Sequence, residues 1–149
     1  MIPVFDIEAL EWVTPIAVGF YDGTEYLEFL KVSKEHDVIW SFLEFLKEKY
    51  KDFRIYAHNA ANYDNKFILD CLARHDEEVR FVSGLGTLIW VGPGIRFEDS
   101  FLLLGRKLAV CCEAFNVPRK LDWKHDETDQ ARQMGPRLGE FQAYLKRDC

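Results

Sequence analysis

Val4-Phe5-Asp6-Ile7-Glu8 is the stretch whose reading decides the fold. Ile2, Val4 and Phe5 supply the apolar run that a buried β-strand needs. Asp6 and Glu8 then follow two residues apart. In an extended chain that spacing puts both side chains on one face of the strand. Two anions on one face of a core strand repel each other and are costly to desolvate. A divalent cation relieves both penalties, because Mg²⁺ and Mn²⁺ are hard ions that take carboxylate oxygens. The first strand is read over residues 2–7, and the competing reading is a strand that simply ends at Ile7 and turns into solvent.

Composition narrows the class. At 149 residues the chain is read as one domain, residues 1–149, long enough to bury a core. A hydrophobic content of 48% with 15% aromatics agrees with that. No apolar run approaches membrane-spanning length, so no membrane partner is expected. Met-Ile-Pro-Val carries no basic leader, so no secretory signal is expected. Cys71, Cys111, Cys112 and Cys149 form no C-x-x-C pair and read as reduced thiols in a cytoplasmic setting. Net charge is −6, which argues against a protein that coats nucleic acid but not against a nuclease with a carboxylate centre. Residues 1–100 carry −8 and residues 101–149 carry +2. A strand-holding surface is therefore expected mostly in the C-terminal third.

The remaining pattern predicts an α/β chain with a mixed sheet flanked by helices. Pro15–Tyr21 and Glu25–Leu30 read as strands joined by an Asp22-Gly23 hairpin turn. Ser33 is the expected cap of a helix running to about Tyr50, with Val38, Ile39, Phe42, Phe45 and Leu46 on its apolar face. Arg54–Ala57 reads as a fourth strand, parallel beside the first, and Tyr63–Arg74 as a second helix. Residues 79–91 and 95–98 read as a hairpin around Gly92-Pro93-Gly94. Lys107–Phe115 reads as a helix, Asn116–Asp126 as a basic loop, and Leu138–Asp148 as a final helix. A fourth strand beside the first opens a crevice at the carboxyl ends of both, the usual place for a ligand in such sheets.

Two further clusters carry candidate chemistry. In His58-Asn59-Ala60-Ala61-Asn62-Tyr63-Asp64, the acid stands at a helix start. It reads either as an ordinary cap or as a carboxylate facing the Asp6/Glu8 pair. In Tyr144-Leu145-Lys146-Arg147-Asp148, the tyrosine and the acid are four apart and share a helix face. Asp148 lies in the last turn, where fraying is expected.

Taken in order, these three pieces resemble the DEDD superfamily of 3′→5′ exonucleases. Asp6 and Glu8 resemble its first motif, D-x-E. Asn59 through Asp64 resembles the second, and Tyr144 with Asp148 the third, Y-x-x-x-D. The tyrosine variant is specified, because the histidine variant needs His five residues before the last acid, where Ala143 stands. The chain is most similar to the proofreading domain of family B DNA polymerases, especially the protein-primed ones. Lys66-Phe67-Ile68-Leu69, Asp99-Ser100-Phe101-Leu102-Leu103-Leu104 and Lys120-Leu121-Asp122-Trp123 resemble further elements of that group. One departure is Ala9, where the group often has a threonine that touches the substrate strand.

The resemblance implies a ribonuclease H-like sheet and two divalent cations, Mg²⁺ or Mn²⁺. Asp6, Glu8 and Asp148 would hold one ion, and Asp6 would bridge to a second near Asp64. Tyr144 would orient the attacking water and Lys120 would neutralise phosphate charge. Asn59, Tyr63, Ser100 and Phe101 would contact the last nucleotides. The implied partners are single-stranded DNA 3′ ends and a DNA polymerase or replication protein. The implied setting is intracellular, with a viral or plasmid source in keeping with the protein-primed likeness. With no polymerase domain in these 149 residues, a stand-alone or excised exonuclease domain is expected. Two alternatives stand beside this. One is an exoribonuclease of the same fold. The other is a non-catalytic module that binds a polymerase or a nucleic-acid end through its acidic surface.

Overall fold

The structure, a computed structural model, describes residues 2–82, 84–119, 121 and 137–149. Seven strands form one mixed sheet: β1 (Val4–Leu10), β2 (Thr14–Tyr21), β3 (Tyr26–Leu30), β4 (Arg54–Ala57), β5 (Val79–Val82), β6 (Thr87–Trp90) and β7 (Ile95–Asp99). The strand order is β3-β2-β1-β4-β7-β6-β5. β1–β2–β3 is an antiparallel meander. β4 lies parallel to β1 on one side and to β7 on the other, as the sequence pattern predicts for the first pair. The α/β class with a mixed sheet is the architecture expected.

Among the described residues five α-helices accompany the sheet: α1 (Val38–Lys49), α2 (Asp64–Arg74), α3 (Ser100–Leu104), α4 (Leu108–Ala114) and α5 (Leu138–Asp148). Phe5 and Ile7 of β1 and Val18 and Phe20 of β2 are buried with Phe42, Leu43 and Leu46 of α1 and Ile68 and Leu72 of α2. Ile16 and Ala17 of β2 are buried with Phe141, Tyr144 and Leu145 of α5. The meander is thus covered by α1 and α2 on one side and by α5 on the other. Among the described residues no helix is long and apolar enough to cross a membrane.

Several boundaries differ from expectation, each for a physical reason. β1 continues to Leu10 rather than ending at Ile7, because β2 pairs with it along its whole length. Asp37, not Ser33, caps α1, its Oδ1 accepting from the Trp40 backbone N–H at 3.1 Å. The apolar period begins at Val38, so the cap stands immediately before it. Residues 79–91 are two strands, not one. Gly84 and Gly86, at φ +87° and +60°, turn the chain between them. Ser100–Leu104 forms a short helix that was not expected, and Asp99 caps it by accepting from Phe101 N–H at 2.8 Å. Lys120 and most of the expected 116–126 loop lie outside the described residues.

Asp37 joins the two helices on the α1/α2 side. Its Oδ2 takes a charged hydrogen bond from Arg74 Nη1 at 2.7 Å, while Oδ1 caps α1. Burial alone would raise the Asp37 carboxyl, but the bonds from Arg74 and the Trp40 N–H outweigh it and hold the carboxyl below its ordinary value. Asp37→Ala should lower unfolding stability by about 1–2 kcal/mol in a urea titration at pH 7. The gap between wild type and variant should be full above the ordinary carboxylate range. It should close as pH falls through the depressed Asp37 value.

Candidate active site

The geometry begins with strand alternation. Phe5 and Ile7 point into the α1/α2 core, so Asp6 and Glu8 point to the opposite side, where α5 lies. Opposite Asp6 and Glu8 on β2 stand Gly19 and Ala17. Cross-strand partners share a face, so the two acids have the two smallest side chains beside them. That leaves room for α5. An added Cβ at Gly19 would lie 2.7 Å from Cys149 Sγ, 3.0 Å from Leu145 Cγ and 3.1 Å from the Tyr26 hydroxyl.

α5 uses this close approach to bring in its own acid. Carboxylate oxygens of Asp6, Glu8 and Asp148 lie within 4.8 Å of one another. Glu8 is only 3% exposed and Tyr144 only 2%. α5 runs through Asp148 to a cap at Cys149. Leu145 is fully buried, and the Cys149 N–H reaches the Leu145 carbonyl at 3.4 Å. Burial, followed by the charges of Glu8, Asp148 and Asp6, raises the Tyr144 hydroxyl far above the phenol range. Tyr144 also hydrogen-bonds Asp148. Tyr144 is therefore a protonated phenol able to donate and to position, and a poor base.

Asp64 enters from the other edge of β1. β1 and β4 are paired only at Val4↔Tyr56, after which the strands part. The Ile7 N–H that parting would expose donates to Asp64 Oδ1 at 3.0 Å. Asp64 is 2% exposed. Burial first, then the charge of Asp6, pushes its carboxyl well above the ordinary range. Asp64 is not the helix cap of the first reading, since no side chain caps α2. It caps a backbone donor, although on the strand rather than on its own helix, and it stands within electrostatic reach of Asp6. It is outside the three-carboxylate group.

The other sequence candidates lie after β4, before α2 and at the start of α3. Asn59 is exposed, in the left-handed region at φ +63°, and accepts from Asn62 Nδ2 at 2.7 Å. Tyr63 precedes α2 and packs edge-on against Phe67 and Trp12, with ring centroids 5.2 Å and 5.1 Å apart. Ser100 Oγ is 3.2 Å from His58 Nδ1 and donates to the Ala57 carbonyl at 3.4 Å, so its hydroxyl serves the β4 end. Phe101 is half-buried with its ring edge-on to His58. Lys120 lies outside the described residues.

Sequence reasoning missed three contributors. Asp99, 4% exposed, accepts from Ala61 N–H at 3.1 Å as well as from Phe101 N–H, so it ties the 60–62 turn to the end of β7. Its only sequence signal is an acid at a strand end. Gly19 was signalled by a glycine inside an apolar strand. Trp12 gave no signal of its own.

The donor set fits a hard divalent cation. Three carboxylates converge, two of them from a core strand, and the charges that perturb Tyr144, Tyr63, Asp64 and Cys149 are carboxylates. A second group within the same reach, Asp37 with Cys71 and His75, lies on the α1/α2 side and shares its carboxylate with Arg74.

The fold is shared with the family B DNA polymerase from the hyperthermophilic archaeon Pyrobaculum calidifontis, at a TM-score of 0.77 and 15% identity, over 99% of this chain and 23% of that one. In sequence, the chain is 27% identical to a probable DNA polymerase of Ascobolus immersus, over 71% of this chain and 10% of the relative. The chain thus spans about a tenth and about a quarter of the lengths of these two proteins. No family model matches it.

Gly19→Ala should force α5 away from β1 and β2. It should cost about 1–3 kcal/mol in denaturant unfolding and weaken Mn²⁺ binding measured by calorimetry. Equal stability and equal binding would show that close approach at Gly19 is not what sets the Asp148 position.

Proposed function

We propose that this chain is a metal-dependent 3′→5′ exonuclease domain of the tyrosine-type DEDD class. It would hydrolyse single-stranded DNA ends and release nucleoside 5′-monophosphates. The observation that carries this reading is the convergence of Asp6, Glu8 and Asp148 within 4.8 Å, beside buried Tyr144. The likeness in fold to a family B DNA polymerase supports a nuclease or polymerase-related role.

Asp6, Glu8 and Asp148 would hold one divalent ion, with Asp6 and Asp64 serving a second. When bound, Mg²⁺ or Mn²⁺ supplies an activated water and offsets charge on the departing 3′-oxygen. Tyr144, kept protonated by burial and by its acidic neighbours, would orient that water through its hydroxyl. Asp64 holds the Ile7 N–H and so fixes the strand that carries Asp6. Tyr63 and Phe101 would offer aromatic contacts to unpaired bases, a sequence-tolerant mode. Asn59 and Ser100 would stand beside them at the strand end. Lys120 is proposed from its sequence pattern alone as the group that meets the phosphate. The 3′→5′ exoribonuclease reading uses the same residues, and a direct comparison of DNA and RNA oligomers separates the two. A polymerase or replication protein is proposed as partner on the strength of the relatives.

Incubation of 5′-labelled single-stranded DNA with Mg²⁺ or Mn²⁺ should give a ladder shortening from the 3′ end, and EDTA should stop it. Asp6→Ala should abolish the ladder while raising the melting temperature of the metal-free protein, since like-charge repulsion is relieved. Tyr144→Phe should retain cation binding and lose at least ten-fold in rate. A wild-type rate in Asp6→Ala would dismiss the site assignment, and a wild-type rate in Tyr144→Phe would remove the tyrosine from the reaction.

A further inference from the structure

A second tyrosine reaches toward the carboxylate centre from the outer strand of the meander. Strand register sets Asp6 of β1 and Glu28 of β3 on either side of Gly19. Tyr26, two residues from Glu28, shares their face of the sheet. Its side chain runs inward from β3 across β2, and its hydroxyl lies 3.1 Å from where a Cβ on Gly19 would stand. Directly opposed residues such as Gly19 and Asp6 have their Cβ positions about 4.5–5.5 Å apart. The hydroxyl therefore ends within a carboxylate's length of Asp6. α5 holds the ring from the other side, with Lys146 Nζ 5.6 Å from its centroid. The bare backbone at Gly19 thus admits two approaches, that of α5 and that of Tyr26.

The Tyr26 hydroxyl is buried and has no hydrogen-bond partner among the described residues. A phenylalanine would make the same ring contacts without that cost, because a buried hydroxyl with no bond opposes folding. Burial first, then Cys149, Glu28 and Asp6, raises the hydroxyl well above the phenol range. It is therefore a donor in want of an acceptor. Glu28 already accepts from Gln142 Nε2. The Cys149 sulfur is a weak acceptor. Asp6 is the strong acceptor that remains. Carboxylates that hold a metal ion are themselves hydrogen-bonded by neighbours, which aim their oxygens.

We propose that Tyr26 is a positioning residue for the cation site, its hydroxyl donating to the Asp6 carboxylate when that group holds a divalent ion and fixing which oxygen Asp6 presents. This rests on reading Asp6, Glu8 and Asp148 as a cation site, and it adds to that site a residue from β3. The two tyrosines then have separate duties. Tyr144 bonds Asp148, and Tyr26 serves Asp6. The unbonded hydroxyl of the ion-free chain is the cost of keeping that donor in place.

The test compares wild type and Tyr26→Phe by Mn²⁺ calorimetry and by melting temperature without metal. The substitution removes one oxygen and keeps the ring. Metal-free Tyr26→Phe should melt at or above the wild-type temperature, since the hydroxyl has no bond to lose there. Its Mn²⁺ affinity should fall by about ten-fold or more. A hydroxyl that served packing would give the reverse pattern, a less stable metal-free chain with its affinity kept. Unchanged affinity in Tyr26→Phe, or a lower melting temperature of the metal-free variant, would overturn the proposal and leave the cation site in place. A flat titration of folded wild type would overturn both.

Discussion

Mutual repulsion among the converging carboxylates of buried Glu8 and half-buried Asp6 and Asp148 is the constraint on which the rest of the molecule turns. Two unit charges about 4 Å apart in a partly buried setting oppose each other by about 4 kcal/mol. Protonation of one carboxyl relieves that cost, and a divalent cation held between the three would offset it. The architecture around the cluster is arranged to enforce the approach rather than relieve it. Alternation along β1 fixes two of the acids on one face. Gly19 and Ala17 opposite them leave the space that α5 fills, and Phe141 and Leu145 hold α5 there by apolar burial.

Asp64 plays a different part from the other three acids. The separation of β1 and β4 after Val4 and Tyr56 opens the crevice and would leave a backbone N–H exposed within it. Asp64 meets that donor, and in doing so couples the start of α2 to the strand that carries Asp6. Asp99 performs the same service one strand away, binding the Ala61 and Phe101 N–H groups so that the 60–62 turn and the start of α3 move together. Two buried carboxylates thus shape the backbone around the site, while three others face one another across it.

Much of this could be read from the residues, and the failures have identifiable causes. The D-x-E pair at Asp6 and Glu8, the helix-start acid at Asp64 and the four-residue spacing of Tyr144 and Asp148 are local patterns. Their faces follow from strand and helix periods alone. The parallel placement of Arg54–Ala57 beside β1 followed from the β-α-β order. What escaped was set by contacts distant in sequence. Ser33 and Asp37 are equally good caps on paper, and only the seating of Val38 in the core decides between them. The seating of α5 beside β2 depends on Leu145 finding the Gly19 gap, which no local pattern reveals. Trp12 went unnoticed because a hairpin tip with Glu11 and Trp12 at positive φ contradicts ordinary turn chemistry.

Titration of Mn²⁺ into the metal-free chain, followed by calorimetry, tests the founding claim most directly. A cluster built to be neutralised by a divalent ion should give saturable binding heat at neutral pH, and replacing Glu8 by Gln should remove most of it. A flat titration with a folded wild-type chain, or equal heat from Glu8→Gln, would mean that the three carboxylates are not a cation site.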